Sequence, residues 1–479
     1  MALFQGAILS PEEKNRIHQE SLRLLAQVGV KITSDAPLKL LQAHGAPVDQ
    51  DRKIAKIPAA LVEHALASTP RILTLGARNP KYDFAMPAAF SGYTLDGTGT
   101  FAIYWRTGEK RYATRQDIEN GVRVFQQMDL GTVVWPPTCA SDAPAPSRAL
   151  HEFLTALRAG SKHVMHELHH PAQVPYLINA LQAILGSARA IKERKICSLC
   201  YCTIAPLVHE GAMCDAYIEL GKSAVPILVL PMPACGTTGP ASLFSNICLA
   251  NAEALSAVVI FQLANPGSPL IFGGGSGSVD FKSGRFLSGT PEMVLQTGAL
   301  GEMGRFYQLP NAAVGCVSDA NEPGVDAVAE KMLTTLPLVL AGLDLIEGFG
   351  EIETSQTLVL EQIVVDNEIA HLCQRIREGI NFERDYCADI AAVSPGGHFL
   401  GEENTRRAAR STEFYMPKLI GRHTYEKWLD LGKPNMCAKA RELVKGILEG
   451  PMVDPLPDDV SQQLDSILAA ADRELAGKD

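Results

Sequence analysis

The chain has 479 residues, of which 46% are hydrophobic and 20% charged, so it can bury a large core and is not intrinsically disordered. Its formal net charge of -10 argues against nucleic acid as a partner, because nucleic-acid binders concentrate Lys and Arg. Residues 1–11 lack a basic segment followed by an apolar stretch, and the longest apolar runs are too short to cross a bilayer. We therefore expect a cytoplasmic protein without a membrane partner.

Eleven cysteines, an odd number without the dense spacing of secreted domains, indicate reduced thiols. Cys197, Cys200 and Cys202 form a C-x-x-C-x-C cluster, which is a candidate zinc site. However, residues 196–204 alternate like a buried strand, which would point the three thiols to both faces of a sheet. The histidine-rich string 166–170 does not match H-E-x-x-H either. We therefore expect no metal.

Three regions follow one another along the chain. Residues 1–90 are predicted to form a helical cap, whose first helix begins at Ser10 with a proline in its first position. Residues 91–378 alternate short apolar runs with helical stretches at intervals of roughly 30 residues, the length of a βαβ unit. Residues 379–479 are predicted to form a helical extension that packs on the outside of the middle region.

Eight short apolar runs in the middle region predict eight parallel strands. An open doubly wound sheet would show the same alternation, but no G-x-G-x-x-G opens a helix near the first strand and there is no phosphate loop. We therefore predict an α/β fold built on a closed (β/α)₈ barrel, a TIM barrel. The predicted strands are Tyr93–Trp105, which is less regular than the others, Val133–Trp135, His163–His166, Leu199–Cys202, Pro226–Pro231, Leu270–Phe272, Ala313–Val317 and Leu343–Ile346.

The active site of such barrels lies at the carboxyl ends of the strands, so the residues after each apolar run are candidates for function. Carboxylates concentrate after the seventh and eighth runs, and aromatic rings lie at the ends of several strands. Both groups stabilise a positively charged ligand, although core packing explains most aromatic residues. The candidate substrate-binding residues are Tyr93, Trp135, His166, Tyr201, Asn321, Glu347, Phe349 and Glu351.

Two loops of small residues follow the fifth and sixth strands. The first precedes a helix and offers backbone N–H groups to an anion such as a carboxylate, with a tight turn as the alternative. The second lacks side chains and would let a large planar cofactor approach the backbone, with a flexible loop as the alternative. The residues assigned to these two roles are Gly236, Thr237 and Thr238, and Gly273, Gly274 and Gly275.

Several short motifs occur in order along nearly the whole chain, and together they make it resemble the trimethylamine methyltransferase family. The resemblance is strongest to the branch without pyrrolysine, which includes glycine betaine:corrinoid protein methyltransferases. The motifs are Arg106-Thr107-Gly108 with Thr114 and Asp117 after it, Ser141-Asp142-Ala143-Pro144, the Gly-Thr-Thr-Gly-Pro loop, Gly273-Gly274-Gly275, Ser318-Asp319, and Gly396-Gly397-His398-Phe399-Leu400 with Thr405.

The resemblance implies a barrel that binds a methylated amine at its centre and docks a separate corrinoid protein over the strand ends. Co(I) of the corrinoid (cobalamin) then attacks the N-methyl carbon, and the chain itself holds no tightly bound cofactor. In the trimethylamine enzymes a pyrrolysine follows the seventh strand, whereas residues 318–323 are ordinary here. We therefore expect a quaternary amine, which leaves as a neutral tertiary amine and needs only orientation for in-line SN2 attack.

Under this hypothesis Tyr93, Trp135 and Phe349 hold the trimethylammonium head, and Glu347 or Glu351 balances its charge. Two rival classes remain open. A zinc-dependent methyl-donor:corrinoid methyltransferase would use the cysteine cluster or a histidine, and metal analysis distinguishes it. A catalytically silent betaine-binding protein would form no methyl-Co(III). A homo-oligomer is compatible with the sequence.

Overall fold

Eight parallel strands form the centre of the molecule. The structure, a computed structural model, describes residues 3–382 and 386–476. Strands that are consecutive along the chain lie side by side, and the eighth strand pairs with the first. We number them β1 (Gly92–Leu95), β2 (Gly131–Val134), β3 (His163–His166), β4 (Cys197–Tyr201), β5 (Ile227–Val229), β6 (Leu270–Phe272), β7 (Ala312–Val314) and β8 (Leu345–Phe349).

The sheet closes between β6 and β7. Phe272 and Asn311 form an isolated parallel bridge across this seam. The N–H of Phe272 donates to the carbonyl oxygen of Pro310 at 2.8 Å, and the N–H of Val314 donates to that of Gly274 at 3.2 Å. The strand order contains no reversal of the kind that marks a doubly wound sheet. The predicted closed parallel barrel is therefore confirmed.

The first predicted strand, residues 93–105, consists of two separate strands. β1 ends at Leu95, and Thr98 adopts a positive φ of 65° that turns the chain. The next strand, Phe101–Ile103, pairs antiparallel with Lys110–Tyr112 outside the barrel. This turn explains why the apolar pattern of the first strand is less regular than that of the others.

One helix follows each barrel strand and packs against its outer face. The fifth helix is long and apolar enough to cross a membrane, but 94% of its apolar window is buried inside the protein, as in a core helix. The helices are α1 (Arg115–Gln126), α2 (Arg148–Ala159), α3 (Val174–Leu185), α4 (Gly211–Gly221), α5 (Leu243–Ala264), α6 (Pro291–Phe306), α7 (Val325–Ala341) and α8 (Leu360–Glu378). A short additional helix, Ala188–Arg194, lies between α3 and β4.

Side chains of the strands alternate between two buried layers, as the period of a strand requires. The outer layer packs against the helices and includes Tyr93, Tyr201 and Phe349. The inner layer fills the barrel and receives side chains from seven of the strands or the residues after them. It consists of Val133, Trp135, Met165, Cys200, Leu228, Leu230, Ile271, Ala312 and Leu345, with Leu73, Leu75 and Met86 from outside the barrel.

The N-terminal region contains helices Pro11–Gln27, Asp35–Ala43 and Ala59–Ser68. The first is capped by Ser10, which accepts a hydrogen bond from the N–H of Glu13. The antiparallel pair Leu73–Leu75 and Phe84–Met86 contributes apolar side chains to the inner layer, and Gly76 next to it contacts His163 at the start of β3. This pair covers the amino-terminal end of the barrel, so we expect a ligand to enter from the carboxyl end.

The C-terminal region consists of helices. Met436–Glu449 packs against α8 and α1, and Asp458–Leu475 packs against α3. Asp472 on the last helix contacts His151 of α2, with 2.9 Å between Oδ1 and Nε2. Shorter helices in this region are Tyr386–Ala391, Glu403–Ala409 and Tyr425–Asp430.

Candidate active site at the mouth of the barrel

Three carboxyl groups, of which two are buried and one is half-buried, meet at the carboxyl end of the barrel. Asp96 directly follows β1, Glu347 lies in β8, and Glu351 follows β8. The charge of Asp96 acts on both glutamates, because the eighth strand pairs with the first. Within the described residues, none of the three carboxylates forms an ion pair with Lys or Arg. Oε1 of Glu347 and Oε2 of Glu351 are buried without a hydrogen bond.

The negative charge of the carboxyl cluster is only partly compensated, because the charge of Lys331 lowers the pKa of Asp96 and Glu351 but does not outweigh burial. Burial first, and then the charge of Asp96, raises the pKa of Glu347 to about 8. The same two causes raise the pKa of Glu351 well above its ordinary value, although the N–H of Gly99 donates to this carboxyl at 3.1 Å. A ligand that brings a positive charge would stabilise the ionised forms.

Trp135 adds an aromatic surface next to this cluster. It follows β2, belongs to the inner layer and is 6% exposed, and its indole Nε1 has no hydrogen-bond partner. The ring packs on the backbone of Gly97, where an added Cβ would lie 2.3 Å from Cε2 of the indole. Only glycine fits directly after Asp96, and the ring is thereby held beside a carboxylate.

A β-bulge in β8 separates two of the predicted substrate-binding residues. Simple alternation would place Glu347 and Phe349 on the same face of the strand. The register shifts between them, and Gly348 takes a φ of 138° at a point where a Cβ would lie 2.0 Å from the carbonyl oxygen of Gly315. Phe349 therefore points outward, with its ring 4.9 Å from that of Tyr93.

The remaining predicted substrate-binding residues lie away from the cluster. Tyr93 is in the outer layer, and the ring of Tyr201 contacts Phe261 of α5 at 4.8 Å. Nε2 of His166 lies 2.9 Å from Oε2 of Glu152 on α2, and Asn321 is exposed. Of the eight predicted residues, the structure brings together Trp135, Glu347 and Glu351, and the other five do not join them.

The two loops of small residues are occupied by contacts within the protein. In the loop after β5, the N–H of Gly236 donates to Gly239, and that of Thr237 donates to Ala234. Thr238 bonds through its side chain, which accepts from the N–H of Ala234 at 2.9 Å. These N–H groups therefore close a tight turn. Contact of this loop with an anion stays a prediction.

The glycine run after β6 is also closely packed. A Cβ at Gly273 would lie 3.0 Å from Leu228, and one at Gly275 would lie 2.9 Å from Met232, both towards the barrel interior. Gly274 faces Leu300 of α6, where a Cβ would lie 2.2 Å from a methyl group. Contact of this run with a corrinoid likewise stays a prediction.

The cysteine cluster is divided between the two faces of β4. Cys197 belongs to the outer layer, whereas Cys200 belongs to the inner layer and Cys202 packs against it. All eleven cysteines are free. Glu167, which follows β3, lies beside the two inner thiols, with Oε1 3.7 Å from Sγ of Cys202.

Two charged residues near the mouth were missed by sequence analysis. Asp96 directly follows β1, and the apolar pattern hides this strand end because it continues to residue 105. Arg148 begins α2, and its Nε is buried without a hydrogen bond. The positive charge of Arg148 lowers the pKa of Cys139, and the negative charge of Glu351 raises it. Because both charges reach the same thiol, the guanidinium of Arg148 lies near the mouth of the barrel.

Comparison with known proteins gives a consistent assignment. A family model described as trimethylamine methyltransferase matches residues 3–476. The chain is 30% identical over 473 residues to the trimethylamine methyltransferase of Desulfitobacterium hafniense, covering 98% of this chain and 95% of the relative. It is 28% identical over 429 residues to the glycine betaine methyltransferase of the same species, covering 88% of each.

Among solved structures, the monomethylamine methyltransferase of Methanosarcina barkeri aligns with 97% of this chain and 92% of its own chain, at 11% identity and a TM-score of 0.45. The sequence comparisons carry the assignment, since the family model extends over almost every residue. The chain therefore belongs to the trimethylamine methyltransferase family and is a methyltransferase.

Proposed function

We propose that this methyltransferase takes a methyl group from a quaternary amine and transfers it to the Co(I) of a corrinoid carried by a separate protein. The observation that carries the proposal is the cluster of Asp96, Glu347 and Glu351 beside the ring of Trp135. Three clustered carboxyl groups that form no ion pair with Lys or Arg of the described residues favour a cationic ligand by Coulomb attraction, and an indole face adds a cation–π contact.

A quaternary ammonium suits this cluster better than an amine that must gain a proton. Its charge is permanent, and it leaves as a neutral tertiary amine. In the reaction the electron pair of Co(I) forms the Co–C bond, and the pair of the breaking C–N bond passes to nitrogen. No proton is transferred, so the task of the protein is orientation for in-line attack. Residues 318–323 are all standard amino acids, so the pyrrolysine of the trimethylamine enzymes is not among them. This agrees with a protein whose task is to orient its substrate.

Glycine betaine and its analogues also carry a carboxylate, which the acidic cluster would repel. Arg148 is the residue that would receive it, because its guanidinium lies near the mouth and its Nε is buried without a partner. In this arrangement the ammonium head lies against the carboxylates and Trp135, and the tail points to α2. The 28% identical glycine betaine methyltransferase supports a betaine as the donor.

The experiment uses the purified protein, a separately prepared corrinoid protein reduced to Co(I), or free cob(I)alamin, and a panel of quaternary amines. Half of the panel carries a carboxylate and half does not. We expect Co(I) to be converted to methyl-Co(III) with betaines only. The absorbance of the corrinoid measures this conversion. Arg148→Gln should reduce the rate of methyl transfer from betaines. The difference between this rate and the rate with amines that lack a carboxylate should therefore become smaller.

Transfer from trimethylamine but from none of the quaternary amines would contradict the proposal. A matched control is Arg158→Gln, which removes a guanidinium from the same helix. Arg158 bonds to the last helix of the chain, with 2.6 Å to Asp465, and should leave the donor preference unchanged. Membership of a methyltransferase family favours an enzyme over the betaine-binding protein considered above.

The cytoplasm is the compartment we propose for this reaction. The free thiols agree with a reducing environment. Among residues 3–382 and 386–476, one helix is apolar enough for a membrane, and it is part of the protein core.

A further inference from the structure

A second cluster of potential ligand groups lies inside the barrel, across from Glu347. Glu167 follows β3, and Cys200 and Cys202 lie in and after the neighbouring β4. Because Val164, Met165 and His166 pair in parallel with residues 197–199, the next residue along β3 lies beside Cys200. The carboxylate and the two thiols therefore meet on the inner face of two adjacent strands.

The distances in this cluster match those between the ligands of one metal ion. The Sγ atoms of Cys200 and Cys202 are 3.9 Å apart, and Sγ of Cys202 is 3.7 Å from Oε1 of Glu167. All three ligand atoms lie within 4.8 Å of one another. In a tetrahedral zinc site, the bond lengths place two sulfur atoms about 3.8 Å apart and a sulfur and an oxygen about 3.6 Å apart. Both of these measured distances therefore match a tetrahedral site, and the third pair, Sγ of Cys200 and the Glu167 carboxylate, lies within the 4.8 Å limit.

The donor set selects the ion. Two thiolates favour a borderline-soft ion such as Zn²⁺ and disfavour Mg²⁺ and Ca²⁺, which take oxygen ligands. Three protein ligands leave a fourth position open, which is typical of reactive zinc sites, whereas structural sites have four protein ligands. Cys200 and Cys202 belong to the layer that contains Trp135, so the cluster borders the interior of the barrel.

We propose that Glu167, Cys200 and Cys202 bind one Zn²⁺ inside the barrel, with its open coordination position towards the interior. Two thiolates, one carboxylate and the ion carry a net charge of -1, so the occupied site would still attract the cationic donor proposed above. The ion would supply a Lewis acid inside the barrel. The proposal departs from the expectation of no metal drawn from the sequence. Bound zinc would favour the zinc-dependent methyl-donor:corrinoid methyltransferase considered above, and the panel of amines decides between the two donors.

The test is the zinc content of the full-length protein after loading with Zn²⁺ and removal of the excess. We expect about one zinc per chain in the wild type by mass spectrometry of the metal, and loss of that zinc in Cys200→Ser and Cys202→Ser. Glu167→Gln should weaken zinc binding by more than the roughly 10–100-fold that loss of an outer-shell partner costs. Cys197→Ser is the matched control, because this buried thiol of the same strand faces outward and should leave the zinc content unchanged.

Titration of the wild-type protein with Co²⁺ keeps the proposal testable if a variant fails to fold. Binding by two thiolates in a tetrahedral site should produce thiolate-to-cobalt charge-transfer bands and intense visible bands that Zn²⁺ abolishes. Equal zinc in the wild type and in folded Cys200→Ser, or a Co²⁺ spectrum without charge-transfer bands, would overturn the proposal. Methyl transfer to the corrinoid is a separate measurement, so failure of either proposal is recognised independently.

Discussion

Trp135 connects the local sequence to the proposed binding of a cation. Its ring lies against Gly97, whose missing Cβ lets the indole approach within van der Waals distance of the chain that carries Asp96. A substitution of Gly97 by alanine would displace the ring from the carboxylate. The aromatic face and the charge are therefore positioned by one backbone segment.

Trp135→Leu should weaken the binding of a quaternary amine by about 0.5–2 kcal/mol, because it removes the cation–π contact and keeps an apolar side chain. The dissociation constant would rise by roughly 2–30-fold, measured by titration calorimetry. Trp428→Leu is the matched control, since this tryptophan lies in the C-terminal region and bonds to Pro434. Unchanged affinity in folded Trp135→Leu would remove this ring from the site.

Glu347 should make amine binding depend on pH. Its pKa is about 8 in the folded protein without ligand, and a bound cation needs the ionised form. Because the charge of a quaternary amine does not titrate, its affinity should increase by roughly tenfold between about pH 7 and pH 9. Glu347→Gln should show weaker binding and should lose most of this increase. An identical pH profile in both proteins would show that another group controls binding.

Glu347 should also make the folding stability depend on pH, but stability should decrease with rising pH whereas amine affinity increases. Between the ordinary glutamate pKa and about 8, the folded protein keeps a proton that the unfolded chain releases. The free energy of unfolding of the ligand-free wild type should therefore fall as the pH rises through this window. In Glu347→Gln it should fall less, as measured by urea denaturation at several pH values.

At the scale of elements, a buried ion pair joins α7 to α8 and also bonds to the backbone after β7 and within β8. Nζ of Lys331 on α7 lies 2.9 Å from Oδ2 of Asp366 on α8, and both side chains are fully buried. The same ammonium donates to the carbonyl oxygens of Cys316 and Gly348, at 2.7 and 3.0 Å. The pair therefore holds the backbone at the β-bulge that separates Glu347 from Phe349.

Lys331→Met should destabilise the protein by about 3–5 kcal/mol, because Asp366 would remain buried without its partner. The double variant Lys331→Met/Asp366→Asn should be more stable than the single one, since asparagine removes the unpaired charge. Asparagine keeps an oxygen to accept from the N–H of Gly350, which lies 2.7 Å from the carboxylate. Urea denaturation measures both. A loss below about 1 kcal/mol in the single variant would contradict this account.

At the scale of the whole molecule, we expect the corrinoid to arrive as a second substrate on another protein. The chain contains no D-x-H-x-x-G string, by which cobalamin-binding modules supply a histidine to cobalt. The amino-terminal end of the barrel is covered, so we expect the acceptor to approach the carboxyl end. A transient contact over this face is enough, because only orientation of cobalt over the methyl carbon is required.

The purified protein should therefore be colourless, and methyl transfer should begin only when a reduced corrinoid protein or cob(I)alamin is added. Absorbance in the visible range and cobalt analysis check this directly. About one cobalt per isolated chain would contradict a separate carrier. The mixture of protein and amine without corrinoid serves as the control for donor breakdown.

The fold could be predicted because it depends on periodic signals. Eight apolar runs at regular spacing indicate parallel strands buried on both sides, and seven of them were located to within a few residues. The carboxyl ends of such strands must meet at one face, which is where the sequence predicts the site. Trp135, Glu347 and Glu351 lie together at this face, and their role in substrate binding stays a prediction.

The direction of each side chain depended on the tertiary structure. Alternation would place Glu347 and Phe349 on the same face, but a bulge at Gly348 puts them on opposite faces. Tyr93 lies within β1 and Tyr201 ends β4, but both face the helices, because an outward position buries an aromatic ring as well as an inward one does. Glu167 and Cys200, 33 residues apart in the sequence, become neighbours only through the pairing of β3 with β4.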